Sequence, residues 1–266
     1  MPDWPAWLTA LLLATNLLSL VALFFVTRRM LKLRRQKKRA FTFSEYPVRK
    51  VKLEEVAPCF EMTRYGPSPD SEVRFIGGEG VVASLSDRES WVMAALAKNV
   101  KRVFEFGTCS GKTAHVFAQN AAPDSEIFTL TLHPDDLAAT EFGLGDDKEH
   151  RDIAVAESSF ETFYYNGQPS EKHIKQIFSD SKSYNEEPLR GSVDLIFVDG
   201  AHTRSYVESD TRKALNMLTD DGVILWHDYK PDAPDVFAFL NELSKTLPLM
   251  HIADTDLVMY RREKAS

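Results

Sequence analysis

Val103-Phe104-Glu105-Phe106-Gly107-Thr108-Cys109-Ser110-Gly111-Lys112-Thr113 is the stretch whose reading decides the fold. It reads as a buried strand, a glycine-bearing turn and the start of a helix. Such a turn presents bare backbone N–H groups and a helix N-terminus to a ligand. Gly-Lys-Thr suggests a phosphate loop, whereas Glu-x-Gly-x-x-x-Gly suggests a nucleoside loop. Spacing separates the two. A phosphate loop needs G-x-x-x-x-G-K-[ST], and five residues before Gly111 stands Phe106. An acid two residues ahead of the first glycine also suits hydroxyl and ammonium donors better than a triphosphate. The plain alternative is an ordinary strand-to-helix turn with Glu105 solvated.

Around this stretch, apolar runs alternate with helical patterns. Strands are expected at 102–106, 127–132, 174–178, 193–198, 223–226, 250–252 and 257–260. Helices are expected at 87–99, 112–120, 205–218 and 234–246, the first opened by the capping-box spacing Ser86-Asp87-Arg88-Glu89. This pattern predicts an α/β, Rossmann-like fold: a mostly parallel seven-stranded sheet with helices on both faces. The short link Ala253-Asp254-Thr255-Asp256 makes the last strand antiparallel. Residues 133–170 are polar and are read as a flap over the site.

Ahead of the domain, residues 6–26 form a 21-residue run without a charge. As a helix it spans roughly 30 Å, a bilayer core. A cleaved signal peptide fits less well: no basic residue precedes the run, and Leu23, Phe24 and Phe25 close it. Arg28, Arg29, Lys32, Arg34, Arg35, Lys37, Lys38 and Arg39 follow, so the positive-inside rule puts everything after them on the cytoplasmic side. The expected organisation is a transmembrane anchor at 1–27, a basic juxtamembrane segment and linker at 28–75, and the catalytic domain at 76–262. The net charge is −7; without 28–39 the rest holds 24 basic and 39 acidic residues, a balance of −15. That argues against gripping nucleic acid. Two cysteines provide neither a disulfide framework nor zinc spacing.

In open α/β sheets ligands bind beyond the carboxyl ends of the strands. There the sequence places Glu105, then Asp180-Ser181, then Asp199-Gly200-Ala201-His202, then His227-Asp228. Any one alone reads as a turn residue or cap; four such ends together read as a site. Asp199, His227 and Asp228 can offer two carboxylates and an imidazole to a cation, provided the strand has broken before Asp228. His202 can serve as a general base or sit as a helix-capping histidine.

The stretch 103–113, with Asp194-Leu195-Ile196-Phe197-Val198-Asp199-Gly200-Ala201-His202 and Gly222-Val223-Ile224-Leu225-Trp226-His227-Asp228-Tyr229, resembles the class I S-adenosylmethionine-dependent methyltransferases. The likeness runs over about 75–262 and is nearest to metal-dependent O-methyltransferases similar to the macrolide-sugar and catechol enzymes. The resemblance implies that Glu105, Gly107 and Gly111 shape the S-adenosylmethionine loop, with Thr108 and Ser110 beside it. It implies that Asp180 and Ser181 face the adenine and that Asp199, His227 and Asp228 bind a divalent metal, magnesium or manganese. His202 takes the general-base position. Two departures stand out. Thr131 or His133 occupies the place of the usual ribose-binding acid, and His227 that of a carboxylate or amide. The implied acceptor is a hydroxyl of a small molecule or, given the anchor, of a lipid-linked glycan. The competing classes are a phosphate-loop NTPase using Lys112-Thr113 and a membrane-tethered binding protein without activity. Oligomeric state is not legible.

Overall fold

The computed structural model describes residues 5–42, 46–77, 85–133, 135 and 157–262. Pro134 and 136–156 of the expected flap lie outside them. The chain divides into two units, 1–45 and 46–266. The first is helix α1 (Ala6–Thr42). Its stretch Ala10–Leu31 is long and apolar enough to cross a membrane, with mean hydropathy 2.2. Its hydroxyls bond back to the helix: Thr15 Oγ1 donates to Leu11 O at 3.0 Å and Ser19 Oγ to Thr15 O at 2.8 Å. These two hydroxyls are satisfied within the helix.

The second unit is built on one sheet. Its elements in chain order are β1 (Arg49–Val51), α2 (Leu53–Val56), β2 (Met62–Thr63), β3 (Gly66–Pro67), α3 (Asp87–Leu96), β4 (Arg102–Phe106), α4 (Lys112–Asn120), β5 (Glu126–Thr131) and β6 (Ile174–Phe178). There follow β7 (Val193–Val198), α5 (Arg204–Met217), β8 (Leu218–Trp226), α6 (Pro234–Leu243), β9 (Met250–Ile252) and β10 (Val258–Arg261). The sheet order is β6-β5-β4-β7-β8-β10-β9-β1. Pairings β6-β5, β5-β4, β4-β7 and β7-β8 are parallel, and β10 runs antiparallel to both β8 and β9.

The sheet therefore has eight strands, not seven. The additional one, β1, pairs parallel with β9 (Arg49↔Met250) from within the stretch read as linker. Val51, Leu53, Val56 and Phe60 from the same stretch are buried in the core. A further difference is β8, which starts at Leu218 rather than 223, through a register irregularity opposite Val193 and Leu195.

Alternation along the strands sorts the two faces. Val103, Leu195, Phe197 and Leu225 pack with Val92, Met93, Ala114 and Phe117 of α3 and α4. Trp226, of opposite parity, donates its indole N–H to Thr211 Oγ1 of α5 at 2.8 Å. Both faces are thus covered, which is why the central strands read as unbroken apolar runs. Register then aligns the strand ends. Phe106 sits opposite Leu130 and Val198, Val198 opposite Trp226, and Thr131 opposite Phe178. Gly107, Leu132, Ser179, Asp199 and His227 consequently emerge side by side at one edge.

Candidate active site

The glycine turn is shaped by how closely the backbone approaches. Gly107 (φ 95°) lies against the end of β7, where a Cβ would fall 2.0 Å from the Asp199 carbonyl oxygen. Gly111 (φ 75°) is the N-cap of α4, and a Cβ there would meet Phe163 and Tyr165 at 2.8 Å. Lys112 does not face a phosphate site: its Nζ donates to the Gly77 carbonyl at 2.7 Å, and burial lowers its pKa. This takes away the residue on which the NTPase reading depends.

A cavity with about 650 Å³ of empty space, part of it open solvent, lies at this edge. Of the expected ligand-binding residues, Gly107, Asp180 and Ser181 line it, together with Asp199, Thr131 and Leu132. Thr108 and Ser110 line a smaller neighbouring cavity with Gly107 and Asp199. Glu105 and Gly111 line neither. Glu105 shares the α4-side face with Val103 and is fully buried, accepting from Thr129 Oγ1 at 2.5 Å. Thr129 in turn meets Thr108 Oγ1 at 2.7 Å, and Gln176 Nε2 donates to Thr108 at 3.1 Å. Burial pushes the Glu105 carboxyl up to about 8. It braces the turn from beneath through Thr129 and Thr108. Burial likewise pushes the Cys109 thiol up to about 12, which leaves it inert as a nucleophile.

Beside the cavity, and sharing Asp199 with it, is a cluster of charges. Strand β8 ends at Trp226, and Asp228 adopts φ 59°. The chain has left the strand before Asp228, as two neighbouring ligands require. A left-handed Asp is tolerated because its short polar side chain can bond locally. His202 Nε2 lies 2.7 Å from Asp228 Oδ2 and 3.9 Å from Asp199 Oδ1. His227 Nδ1 lies 3.2 Å from Asp199 Oδ1, and its Nε2 3.6 Å from Glu89 Oε2. Lys230 Nζ reaches Asp228 Oδ1 at 2.5 Å and Asp256 Oδ2 at 3.1 Å.

Burial opposes charge on His202, but the hydrogen bonds to Asp199 and Asp228 outweigh it and raise the imidazole to about 10. His227 is raised well above its ordinary value by Asp199 and Glu89, again against the cost of burial. Asp228 and Glu89 are buried, yet their histidine partners hold both low, Glu89 at about 2. Glu157, half-buried beside the cluster, is pushed up to about 7 by desolvation.

Among the described residues, Asp199, His202 and Asp228 form a group whose donor atoms all lie within 4.8 Å of one another. The expected ligand set paired the two aspartates with His227 instead. In the structure both His227 ring nitrogens already face carboxylates, Asp199 and Glu89.

Sequence reasoning missed Glu89 as a site residue. Its cap on α3 was legible and is present, with Ser86 N donating to Glu89 Oε2 at 2.9 Å. The same carboxylate also accepts from Asp256 N at 2.7 Å and faces His227. Glu157, Lys230 and Asp210 were missed as well.

Residues 104–229 match the model of a family described as a methyltransferase domain. With the sheet order and glycine turn above, the match supports the class I methyltransferase fold over this stretch. Solved structures similar to part of the chain include a putative O-methyltransferase from Klebsiella pneumoniae (15% identity, 70% of this chain and 84% of that one, TM-score 0.47). An SAH-bound methyltransferase, PaMTH1, from Podospora anserina is similar at 20% identity (68% and 80% covered, TM-score 0.46). The SAM-complexed O-methyltransferase TomG from Streptomyces achromogenes is similar at 13% identity (68% and 82%, TM-score 0.44). No curated protein matches the sequence.

Proposed function

We propose that the domain transfers the methyl group of S-adenosylmethionine to a hydroxyl oxygen of a small-molecule or lipid-linked acceptor. The observation that carries this reading is that Asp199 belongs both to the cavity beside the glycine turn and to the His202–Asp228 cluster. A donor in the cavity and a hydroxyl at the cluster would meet across one residue. An open cleft lined by Tyr46, Ser86, Glu89, Tyr229, His251 and Asp256 adjoins the cluster through Glu89, giving the acceptor a way in.

Holding donor and acceptor in line accounts for much of such a reaction. The acceptor oxygen attacks the methyl carbon, the C–S bond breaks as the C–O bond forms, and the sulfonium becomes a neutral thioether. The hydroxyl proton passes to Nε2 of His202 in its neutral form. His227, held between Asp199 and Glu89, fixes the orientation of Asp199.

The two carboxylates Asp199 and Asp228, in reach of one point, fit magnesium or manganese as oxygen ligands, and His202 beside them is kept for the proton. The chemistry such an ion supplies when bound is charge: it polarises the acceptor hydroxyl and offsets the two carboxylates that otherwise keep His202 protonated.

Calorimetry is expected to detect binding of S-adenosylhomocysteine and none of ATP with magnesium; the reverse pattern would sink the reading. His202→Gln is expected to abolish radiolabel transfer from S-adenosylmethionine to a membrane extract. Its affinity for S-adenosylhomocysteine should stay within about threefold, because His202 does not line the cavity. If affinity fell as far as turnover, the proton-accepting role would be wrong.

The apolar stretch Ala10–Leu31 and the basic residues that close and follow it support an anchored protein with its domain on the cytoplasmic side. Alkaline extraction should leave the full chain in the membrane pellet, and its release would remove the anchor.

A further inference from the structure

Asp228 is oriented from outside its own strand end. The chain kinks there at φ 59°, and Lys230 N donates back to Asp228 O at 2.7 Å across a three-residue turn. The Lys230 ammonium then meets Asp228 Oδ1 at 2.5 Å. With Oδ1 engaged, Oδ2 is the oxygen presented to His202 Nε2, at 2.7 Å. A lysine is a point charge on a flexible stem, so one contact does not fix where its ammonium sits. The second contact is Asp256 Oδ2 at 3.1 Å, in the link between β9 and β10.

Asp256 is itself a fixed point. Its N–H donates to Glu89 Oε1 at 2.7 Å, and its carbonyl accepts from Tyr229 N at 3.0 Å. The residue before it closes the turn: Thr255 Oγ1 donates to Ile252 O at 2.8 Å, and Thr255 O lies 2.8 Å from His251 Nε2. Lys230 and Asp256 both lie beyond residues 104–229, the stretch that matches the family. Their side chains are 39% and 40% exposed, and an ion pair so exposed contributes little to stability. What it supplies is direction, because the ammonium is held from one side by Asp256 and from the other by Asp228.

We propose that Asp256 is a positioning residue, which acts through Lys230 to hold the Asp228 carboxylate in the orientation that meets His202. Its part in turnover rests on the methyl-transfer reading above. Groups that orient a ligand carboxylate from behind are typically worth about 10- to 100-fold in activity.

The test uses the full chain in detergent and two readouts. NMR with isotope-labelled histidine follows the His202 Nε2–H resonance in the metal-free protein. Asp256→Asn and Lys230→Met should each shift or broaden it. The double variant should match Lys230→Met alone, because Asp256 acts only through the ammonium. Asp256→Glu keeps the charge and should stay close to wild type. Radiolabel transfer to a membrane extract should show kcat about 10- to 100-fold lower in Asp256→Asn, with KM for S-adenosylmethionine within about twofold of wild type. Its melting temperature should move by no more than about 3 °C. If the asparagine variant does not fold, Asp256→Ser repeats both readouts. A His202 resonance that the Asp256 variant leaves in place overturns the proposal. So do losses that add in the double variant, or a kcat within about threefold of wild type. A wild type that transfers no label would instead overturn the methyl-transfer reading, and the resonance alone would then decide the positioning.

Discussion

Gly107→Ala is expected to cost the domain about 4 kcal/mol or more, the range reserved for backbone clashes and ruptured cores. Two effects add. The residue sits at φ 95°, where an L side chain is strained, and its Cβ would lie 2.0 Å from the Asp199 carbonyl oxygen. That oxygen is backbone at the end of a central strand, tied in place where Asp199 N donates to Phe106 O at 2.9 Å. No rotamer change relieves it, so β4 and β7 must separate at the edge where the site is built. Gly167→Ala is the control: it has φ 75° but nothing within 4 Å. It should therefore lose only the left-handed backbone term of about 1–2 kcal/mol. Thermal melts of the two variants would separate strain from clash. Equal melting temperatures would mean that the approach of the two strand ends is not tight, and the case for the glycine turn as one wall of the cavity would weaken.

The contrast between these glycines bears on what could be read without coordinates. Both stand in turns, and sequence spacing picks out Gly107 only because it follows an apolar strand and precedes Gly111. The central strands were legible because each is a short apolar run closed by turn residues, and register did the rest. Aligned ends bring Gly107, Asp199 and His227 together whatever the loops do. Strand β1 was not legible for the opposite reason. It is three residues long, and Arg49 and Lys50 are exposed, the composition of a protected sheet edge rather than of a core strand. The start of β8 was hidden by Asp220, Asp221 and Gly222, which a register irregularity accommodates.

The site divides along the same line. Residues contiguous with a motif were found: Gly107 to Gly111, Asp199 to His202, His227 and Asp228. Residues that join the site through distant partners were not. Glu89 reads as a helix cap, and nothing local reveals that it also accepts from Asp256, 167 positions away. Asp210 reads as a polar residue on an exposed helix face until the tertiary fold buries it. Glu105 was found, but only the sheet parity shows that it points into the α4 side and braces the turn through Thr129 and Thr108. Proximity along the chain finds the groups; packing assigns the duties.

Asp228→Asn is expected to lower turnover by on the order of 10³-fold. Asparagine keeps the volume and tolerates φ 59°, so the backbone kink survives and charge alone is removed. Asp228 is the common partner of His202 at 2.7 Å and Lys230 at 2.5 Å. Without its charge the buried His202 and the partly exposed Lys230 lose their shared carboxylate and keep Asp199 and Asp256 as their counterions. Retention of a divalent ion, followed by manganese spin resonance, should fall in parallel. The His202 pKa should drop from about 10 toward its ordinary 6.5, a shift visible by NMR in the metal-free protein. The sign of the linked stability follows. A histidine whose folded pKa is raised lends stability fully below 6.5 and loses it as pH climbs toward 10. The wild-type metal-free protein should lose stability across that alkaline interval, and the variant should lose much less. Affinity for S-adenosylhomocysteine should stay within about threefold, because Asp228 does not line the donor cavity. Turnover within tenfold of wild type would show that the His202–Asp228 pair is structural, and the acceptor hydroxyl would have to be sought away from this cluster.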